Sequence, residues 1–164
     1  IESGNTQLEI RRVDVSSLIS DVAKRMRVLA DKKNIELSIS TSRSKNKDKY
    51  LVDIDPEKME SVFVNLLSNA IKFTQKGSVK VQLKDFTDRV SIDIKDTGIG
   101  IREEDQTSIF DKFRQLDNSL TKIYDGTGLG LPIAKNILDL YGAEISVSSK
   151  PDKGSTFTVT IFKK

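Results

Sequence analysis

The sequence contains no cysteine and no histidine. Without cysteine there is no disulfide framework, no thiolate metal site and no cysteine nucleophile. Without histidine the chain lacks the commonest general base, the commonest zinc ligand and any histidine that could accept a phosphoryl group. No apolar run approaches the ~18 residues of a membrane span, and no signal-peptide pattern opens the chain. The available chemistry is therefore that of Asn, Asp, Lys, Gly and backbone groups.

Charge and apolar content indicate one globular domain. The 164 residues include 27 Lys and Arg against 24 Asp and Glu, which gives a net charge of +3. At about 150 residues per domain this length predicts a single domain. Hydrophobic residues make up 37% of the chain, which is enough to form a core at this length. Because acidic residues match the basic ones, the composition does not indicate a nucleic-acid partner.

Hydrophobic periodicity predicts an α+β fold. Apolar residues at three- and four-residue steps predict helices over 15–32, 56–74 and 131–141, the first two capped by Asp14 and Asp55. Alternating residues predict strands over 35–39, 51–54, 78–85, 89–94, 143–149 and 156–162, with a hairpin turn near 87–88. Residues 1–14 are polar and mixed, and no element is predicted there. This order favours one helical layer on a mixed sheet.

The predicted helix over 56–74 has one polar face of unusual composition. At about 100° per residue, Asn65, Asn69 and Lys72 fall within roughly 60° of each other, opposite an apolar face. Amide oxygens can ligate Mg²⁺, and a neighbouring ammonium group can neutralise phosphate. An ordinary solvent-facing surface is the alternative.

Two glycine-containing segments flank a 25-residue interval, 102–126. The first, 96–101, follows a predicted strand, so Asp96 can accept hydrogen bonds while the glycines allow close approach of a planar ligand. The second, 126–131, opens a helix and can present backbone N–H groups to an anion. A tight turn and a flexible hinge are the simpler interpretations. The interval between them has the length of a functional lid.

In this order the segments resemble the motifs of the ATP-binding catalytic domain of sensor histidine kinases, in the superfamily that includes gyrase B, Hsp90 and MutL. Residues 65–74 resemble the N box, 96–101 the first glycine box, 109–113 the F box and 126–131 the second glycine box. The resemblance implies the family's two-layer α/β sandwich, with a mixed sheet of about five strands and three helices on one face. It also implies binding of ATP and Mg²⁺.

The resemblance assigns a role to each motif residue. Asn69 would ligate Mg²⁺, with Asn65 close to the metal and its water, and Lys72 would contact phosphate, which makes these three the catalytic residues. Phe73 would pack on adenine or ribose, and Asp96 would accept a hydrogen bond from the adenine amino group. Phe110 and Phe113 would anchor the lid. The remaining expected contacts are with adenine for Gly98, Ile99, Gly100 and Ile101, and with phosphate for Lys122, Gly126, Thr127, Gly128, Leu129 and Gly130.

Two features depart from the family pattern. Lys122 stands where an arginine is frequent, and a lysine keeps the positive charge but cannot make the bidentate contact of an arginine with phosphate. Asp125 replaces a glycine beside the expected phosphate. The resemblance also implies that the phosphoacceptor histidine lies on a separate dimerisation domain, with a response regulator receiver domain downstream. We therefore expect residues 1–13 to be the remnant of a linker and 14–164 to be the catalytic domain. This domain is expected to be monomeric and cytoplasmic, without direct contact to a membrane.

Three other functions remain open at this point. An ATP-driven clamp of the Hsp90 or MutL type would have a glutamate at position 65 to activate water, and an amide is a poor substitute. A degenerate binding module would not need Asn69, Lys72 and Asp96. A serine-directed kinase of the same fold differs only in its acceptor, which the sequence does not contain.

Overall fold

A computed structural model describes residues 8–42, 50–111 and 129–164. These ranges contain three α-helices, seven strands and two short 3₁₀ turns. The helices are α1 (Val15–Lys32), α2 (Pro56–Phe73) and α3 (Gly130–Leu140). The 3₁₀ turns are Glu103–Asp105 and Ser108–Phe110. The strands are β1 (Arg11–Asp14), β2 (Ile35–Thr41), β3 (Leu51–Ile54), β4 (Gly77–Asp85), β5 (Arg89–Asp96), β6 (Glu144–Lys150) and β7 (Gly154–Phe162).

The main sheet has five strands in the order β2-β4-β5-β7-β6. Strands β2 and β4 are parallel, and the other neighbours pair antiparallel, so the sheet is mixed. Alternate residues on the central strands, such as Val81, Ile92 and Val159, are fully buried in one core that also contains the apolar faces of the helices. The predicted two-layer α+β sandwich is confirmed.

Both long helices begin where the sequence predicts. The Asp14 carboxylate accepts from the backbone N–H of Ser16 and Ser17 at the start of α1. Asp55 caps α2 in the same way, and Pro56 occupies the first helical turn, where a missing N–H costs nothing. Among the helices of the described ranges, none is long and apolar enough to cross a membrane.

Strand β1 is an element that the sequence does not predict. It pairs antiparallel with β3, so that Arg11 lies opposite Ile54 and Asp14 opposite Leu51. Its four residues are mostly exposed, which leaves no alternation of apolar and polar positions to detect. The pairing places the segment before α1 beside the strand that leads into α2.

Candidate functional site

The polar face of α2 forms one wall of the candidate site. Asn65, Asn69 and Lys72 are each partly exposed, whereas Leu66 and Ala70 between them are buried. This confirms the two-faced helix that the spacing predicts. Within the described part of the chain, the Asn65 and Asn69 side chains make no hydrogen bond to protein. Their amide oxygens therefore keep their acceptor capacity for a ligand.

The start of α3 lies against the polar face of α2. A Cβ atom placed on Gly130 would be 3.0 Å from Oδ1 of Asn65, so a glycine allows the close approach of the two helices here. The structure thus brings Gly130 of the second glycine segment, preceded by Leu129, to the N-box helix. The expected contacts of Lys122, Gly126, Thr127 and Gly128, and that of Phe113 in the lid, fall outside the described residues.

The last turn of α2 is held by a lysine that sequence reasoning missed. The Lys33 ammonium group donates to the backbone oxygens of Ile71 and Lys72, at 2.7 and 2.9 Å. A cation at a helix C-terminus satisfies carbonyls that have no partner within the helix. In the same turn, the Lys72 ammonium lies 5.2 Å from the centre of the Phe73 ring, within cation–π range. Nothing in the spacing of Lys33 signals this capping role.

Asp96 ends β5 and has 5% of its surface exposed, the smallest exposed fraction among the predicted ligand-binding side chains that lie in the described ranges. Its Oδ1 atom accepts two backbone hydrogen bonds, from Gly98 at 2.8 Å and from Ser155 at 3.3 Å. Among the described residues no donor reaches Oδ2. Burial raises the pKa of Asp96, although the two backbone N–H groups act in the opposite direction. The result is a buried carboxyl group with one oxygen to which no described residue donates.

The loop after Asp96 needs glycine at two positions. A Cβ on Gly98 would collide with the backbone oxygen of Phe73. Gly100 has φ +70°, and a Cβ there would collide with the backbone oxygen of Lys150. Because the backbone N–H of Ile99 donates to that Phe73 oxygen at 3.2 Å, the loop is bound directly to the end of α2. The two predicted motifs therefore meet in the structure.

The far side of this loop contacts residues that the sequence analysis did not select. The backbone N–H of Asp152 donates to the Ile99 oxygen at 2.8 Å, and the N–H of Ile101 donates to the Ser149 hydroxyl at 2.8 Å. Phe110 packs edge-to-face on Phe157, with ring centres 6.5 Å apart, as expected of a packing residue. Ser149, Asp152 and Phe157 belong to no chemical motif, and the sequence carries no signal that selects them.

Comparison with known proteins gives the family. Residues 54–164 match the model of the histidine kinase-, DNA gyrase B-, and HSP90-like ATPase family. The chain belongs to this family. The match covers α2, the Asp96 loop and α3, which are the elements that build the site.

Several of the similar proteins are histidine kinases. The chain is 37% identical over 162 residues to the circadian input-output histidine kinase CikA of Synechococcus elongatus. The aligned region covers 98% of this chain and 21% of CikA. A structure of full-length ShkA in complex with AMPPNP superposes with a TM-score of 0.83 at 27% identity, covering 96% of this chain and 32% of ShkA.

The catalytic domain of the histidine kinase ThkA matches with a TM-score of 0.80 at 29% identity, covering 94% of this chain and 98% of that domain. ThkA has also been solved in complex with the response regulator protein TrrA. The chain thus has the extent of a histidine kinase catalytic domain and spans about a fifth of CikA.

Proposed function

We propose that this chain binds ATP with Mg²⁺ and donates the γ-phosphoryl group to a histidine on a separate dimerisation domain, as part of a two-component sensor kinase. The observation that carries the proposal is the buried Asp96 with one oxygen left for a ligand, at the edge of a loop bound to the N-box helix. The family match and the histidine kinase relatives support it.

Base recognition rests on Asp96. A carboxylate oxygen accepts from the exocyclic amino group of adenine, whereas guanine presents a carbonyl at the same position. Two acceptors facing each other in a buried site leave both unpaired, which costs on the order of 1–3 kcal/mol. The backbone of Gly98, Ile99, Gly100 and Ile101 provides a surface that approaches the base closely, and Phe73 at the end of α2 packs beside it.

The phosphate end of the nucleotide fits the polar face of α2. Mg²⁺ takes oxygen ligands and is usually bound through one or two protein groups plus substrate phosphates. Asn69 supplies such an oxygen, with Asn65 one helical turn away, and Lys72 provides a positive charge for phosphate. When bound, the metal supplies charge neutralisation on the phosphate oxygens. We infer further phosphate contacts from Lys122 and from the backbone of residues 126–130, which lead into α3 in the sequence.

The chain itself is not expected to accept the phosphoryl group. In the transfer, a histidine ring nitrogen bonds to the γ-phosphorus, the bond to the bridging oxygen breaks, and ADP leaves. The chain has no histidine, and Asn65 offers no carboxylate to activate water. We therefore expect tight ATP binding without stable self-phosphorylation and with very slow hydrolysis.

The partners follow from the same proposal. Residues 1–13 would link the catalytic domain, 14–164, to the histidine-bearing dimerisation domain, and a response regulator receiver domain would take the phosphoryl group from that histidine. The complex of ThkA with TrrA supports such a downstream partner. The isolated domain would be monomeric and would act in the cytoplasm, where ATP is available.

The test follows radiolabel from γ-labelled ATP. The chain is incubated alone and with a histidine-bearing dimerisation domain from the same kinase, with a His→Ala version of that partner as control. We expect label on the intact partner only. The transfer should be weak, because the two domains are no longer tethered. Label on this chain alone, label on a serine of the partner, or rapid phosphate release would contradict the proposal in favour of a self-sufficient kinase, a serine-directed kinase or an ATPase.

A further inference from the structure

The Ser149 hydroxyl lies at the centre of three hydrogen bonds near the end of β6. It accepts from the backbone N–H of Ile101 at 2.8 Å and donates to the backbone oxygen of Gly154 at 2.9 Å. The Ser155 hydroxyl lies 2.9 Å away, and because the single Ser149 proton is directed at Gly154, we assign Ser155 as the donor of this bond. A serine hydroxyl has one donor and two acceptor sites, so this arrangement satisfies all of them.

These bonds join the two segments that define the Asp96 environment. Ile101 ends the glycine loop that begins after Asp96. Ser155 lies opposite Ser149 in the β6–β7 register, and its backbone N–H is one of the two donors to Asp96 Oδ1. The Ser149 hydroxyl is therefore bonded both to the end of the loop and to the residue that helps to orient the carboxylate.

A second side chain closes the network. The Gln106 amide nitrogen donates to the backbone oxygens of Ile101 and Ser149, at 3.2 and 2.9 Å. Ile101 is thus held by both of its backbone polar groups, its N–H by Ser149 and its oxygen by Gln106. Buried or half-buried networks of this kind fix geometry when every member has its partner.

We propose that Ser149 is a positioning residue for base recognition, supported by Gln106. It fixes the 98–101 loop relative to Ser155, and this keeps Asp96 Oδ1 bonded to the two backbone donors so that Oδ2 faces the ligand. The inference rests on the proposed binding of ATP. It adds that discrimination between ATP and GTP depends on a hydroxyl group that does not touch the nucleotide.

The experiment measures ATP and GTP affinity by competition titration, together with the melting temperature of the unliganded chain. Ser149→Ala removes the hydroxyl, and Ser149→Thr retains it in a residue that favours strands. Ser148→Ala is the matched control, because Ser148 is an exposed neighbour on the same strand. Gln106→Ala tests the network at a second, half-buried position, should Ser149→Ala fail to fold.

For Ser149→Ala we expect ATP affinity to fall about tenfold, the size of one lost hydrogen bond, with GTP affinity nearly unchanged. The ATP-to-GTP ratio should be restored by Ser149→Thr, be unchanged in Ser148→Ala, and fall in Gln106→Ala. A lower melting temperature with an unchanged ratio would assign Ser149 a structural role only. Failure of the threonine variant to restore the ratio would also overturn the inference. If the unmodified chain does not bind ATP, the proposed function fails first and the inference with it.

Discussion

Two carboxyl groups in this molecule have the same small exposed fraction and are used in opposite ways. Asp55 at the start of α2 and Asp96 at the end of β5 are each 5% exposed. Both oxygens of Asp55 accept hydrogen bonds from the protein backbone. Oδ1 accepts from the N–H groups of Glu57 and Lys58, and Oδ2 accepts from the N–H of Glu9. Asp96 receives both of its backbone hydrogen bonds on Oδ1.

The pKa values of the two carboxyl groups are also shifted in opposite directions. Burial alone would raise the pKa of Asp55, but the backbone N–H groups of Glu9, Lys58 and Glu57, with the charge of Lys58, lower it. At Asp96 burial prevails over two such bonds, and the pKa is raised. Burial by itself therefore does not mark a functional carboxylate. The distinguishing property is acceptor capacity that the protein leaves unused.

The largest expected effect is on ATP affinity in Asp96→Asn. The amide oxygen should stay at the Oδ1 position, because two N–H groups donate there, and this places the NH₂ group where adenine needs an acceptor. The lost charge-assisted bond and the unpaired donors predict a fall of about 2–3 kcal/mol, roughly a hundredfold in affinity. Calorimetric titration with ATP measures it.

The matched control is Asp88→Asn, in the exposed turn at the other end of β5. It should bind ATP as the unmodified chain does. Unaltered affinity in Asp96→Asn would mean that the unused oxygen does not face the base. The difference between Asp96 and Asp55 would then have no bearing on nucleotide binding.

The second prediction concerns Asp55, where the effect should be on stability. Asp55→Ala removes the cap of α2 and the acceptor for Glu9, so we expect the free energy of unfolding to fall by about 2 kcal/mol. Asp14→Ala, which removes the solvent-exposed cap of α1, should cost ~1 kcal/mol. Urea denaturation measures both. Equal losses in the two variants would show that the Glu9 bond contributes nothing.

The sequence predicts the fold well because its elements carry local signals. The Asp-Pro at 55–56 and the periodicity of α2 act within a few residues of chain, and the structure confirms them. Strand β1 lacks such a signal, because Val13 is its only apolar residue and its pairing with β3 is made about 40 positions away in sequence.

For the candidate site, the sequence indicates residue types but not the contacts between them. The amide face of α2 and the glycines after Asp96 are visible as patterns. The bonds of Lys33 to the end of α2, and of Ser149 to Ile101, join positions far apart in the chain. No spacing rule finds them, since single lysines and serines on a surface have no distinguishing pattern.

The third prediction applies the criterion of unused acceptors to α2. Asn69 makes no hydrogen bond within the described ranges, so Asn69→Ala should leave the fold intact. We expect ATP affinity in the presence of Mg²⁺ to fall about tenfold, or ~1.4 kcal/mol, and phosphotransfer to fall further. Affinity measured with a chelator should be unchanged. Asn136→Ala, at an exposed position of α3, is the matched asparagine control. An equal loss with and without Mg²⁺ would remove the metal role from Asn69.

The smallest expected effect is on the pH dependence of stability, and it should have opposite sign at the two carboxyl groups. Because the pKa of Asp96 is raised in the folded state above 3.8, the folded chain binds this proton more tightly than the unfolded chain. Ionised Asp96 therefore destabilises the fold at neutral pH, and that cost disappears as the pH falls through the raised pKa. Ionised Asp55 stabilises the fold above the ordinary value of 3.8, and this contribution is lost only as the pH falls through its lowered pKa.

Urea denaturation of Asp96→Asn and Asp55→Asn over a pH series separates the two contributions. At neutral pH we expect Asp96→Asn to unfold with a slightly higher free energy than the unmodified chain, and the difference should shrink on acidification before the ordinary carboxyl range is reached. Asp55→Asn should unfold with a lower free energy, and its difference should persist until below that range. A stabilised Asp96→Asn that also binds ATP poorly would show that the oxygen left for adenine is maintained at the expense of stability. If Asp96→Asn is destabilised at neutral pH, the carboxylate is held by more than its two backbone donors and the contrast with Asp55 is not one of unused acceptor capacity.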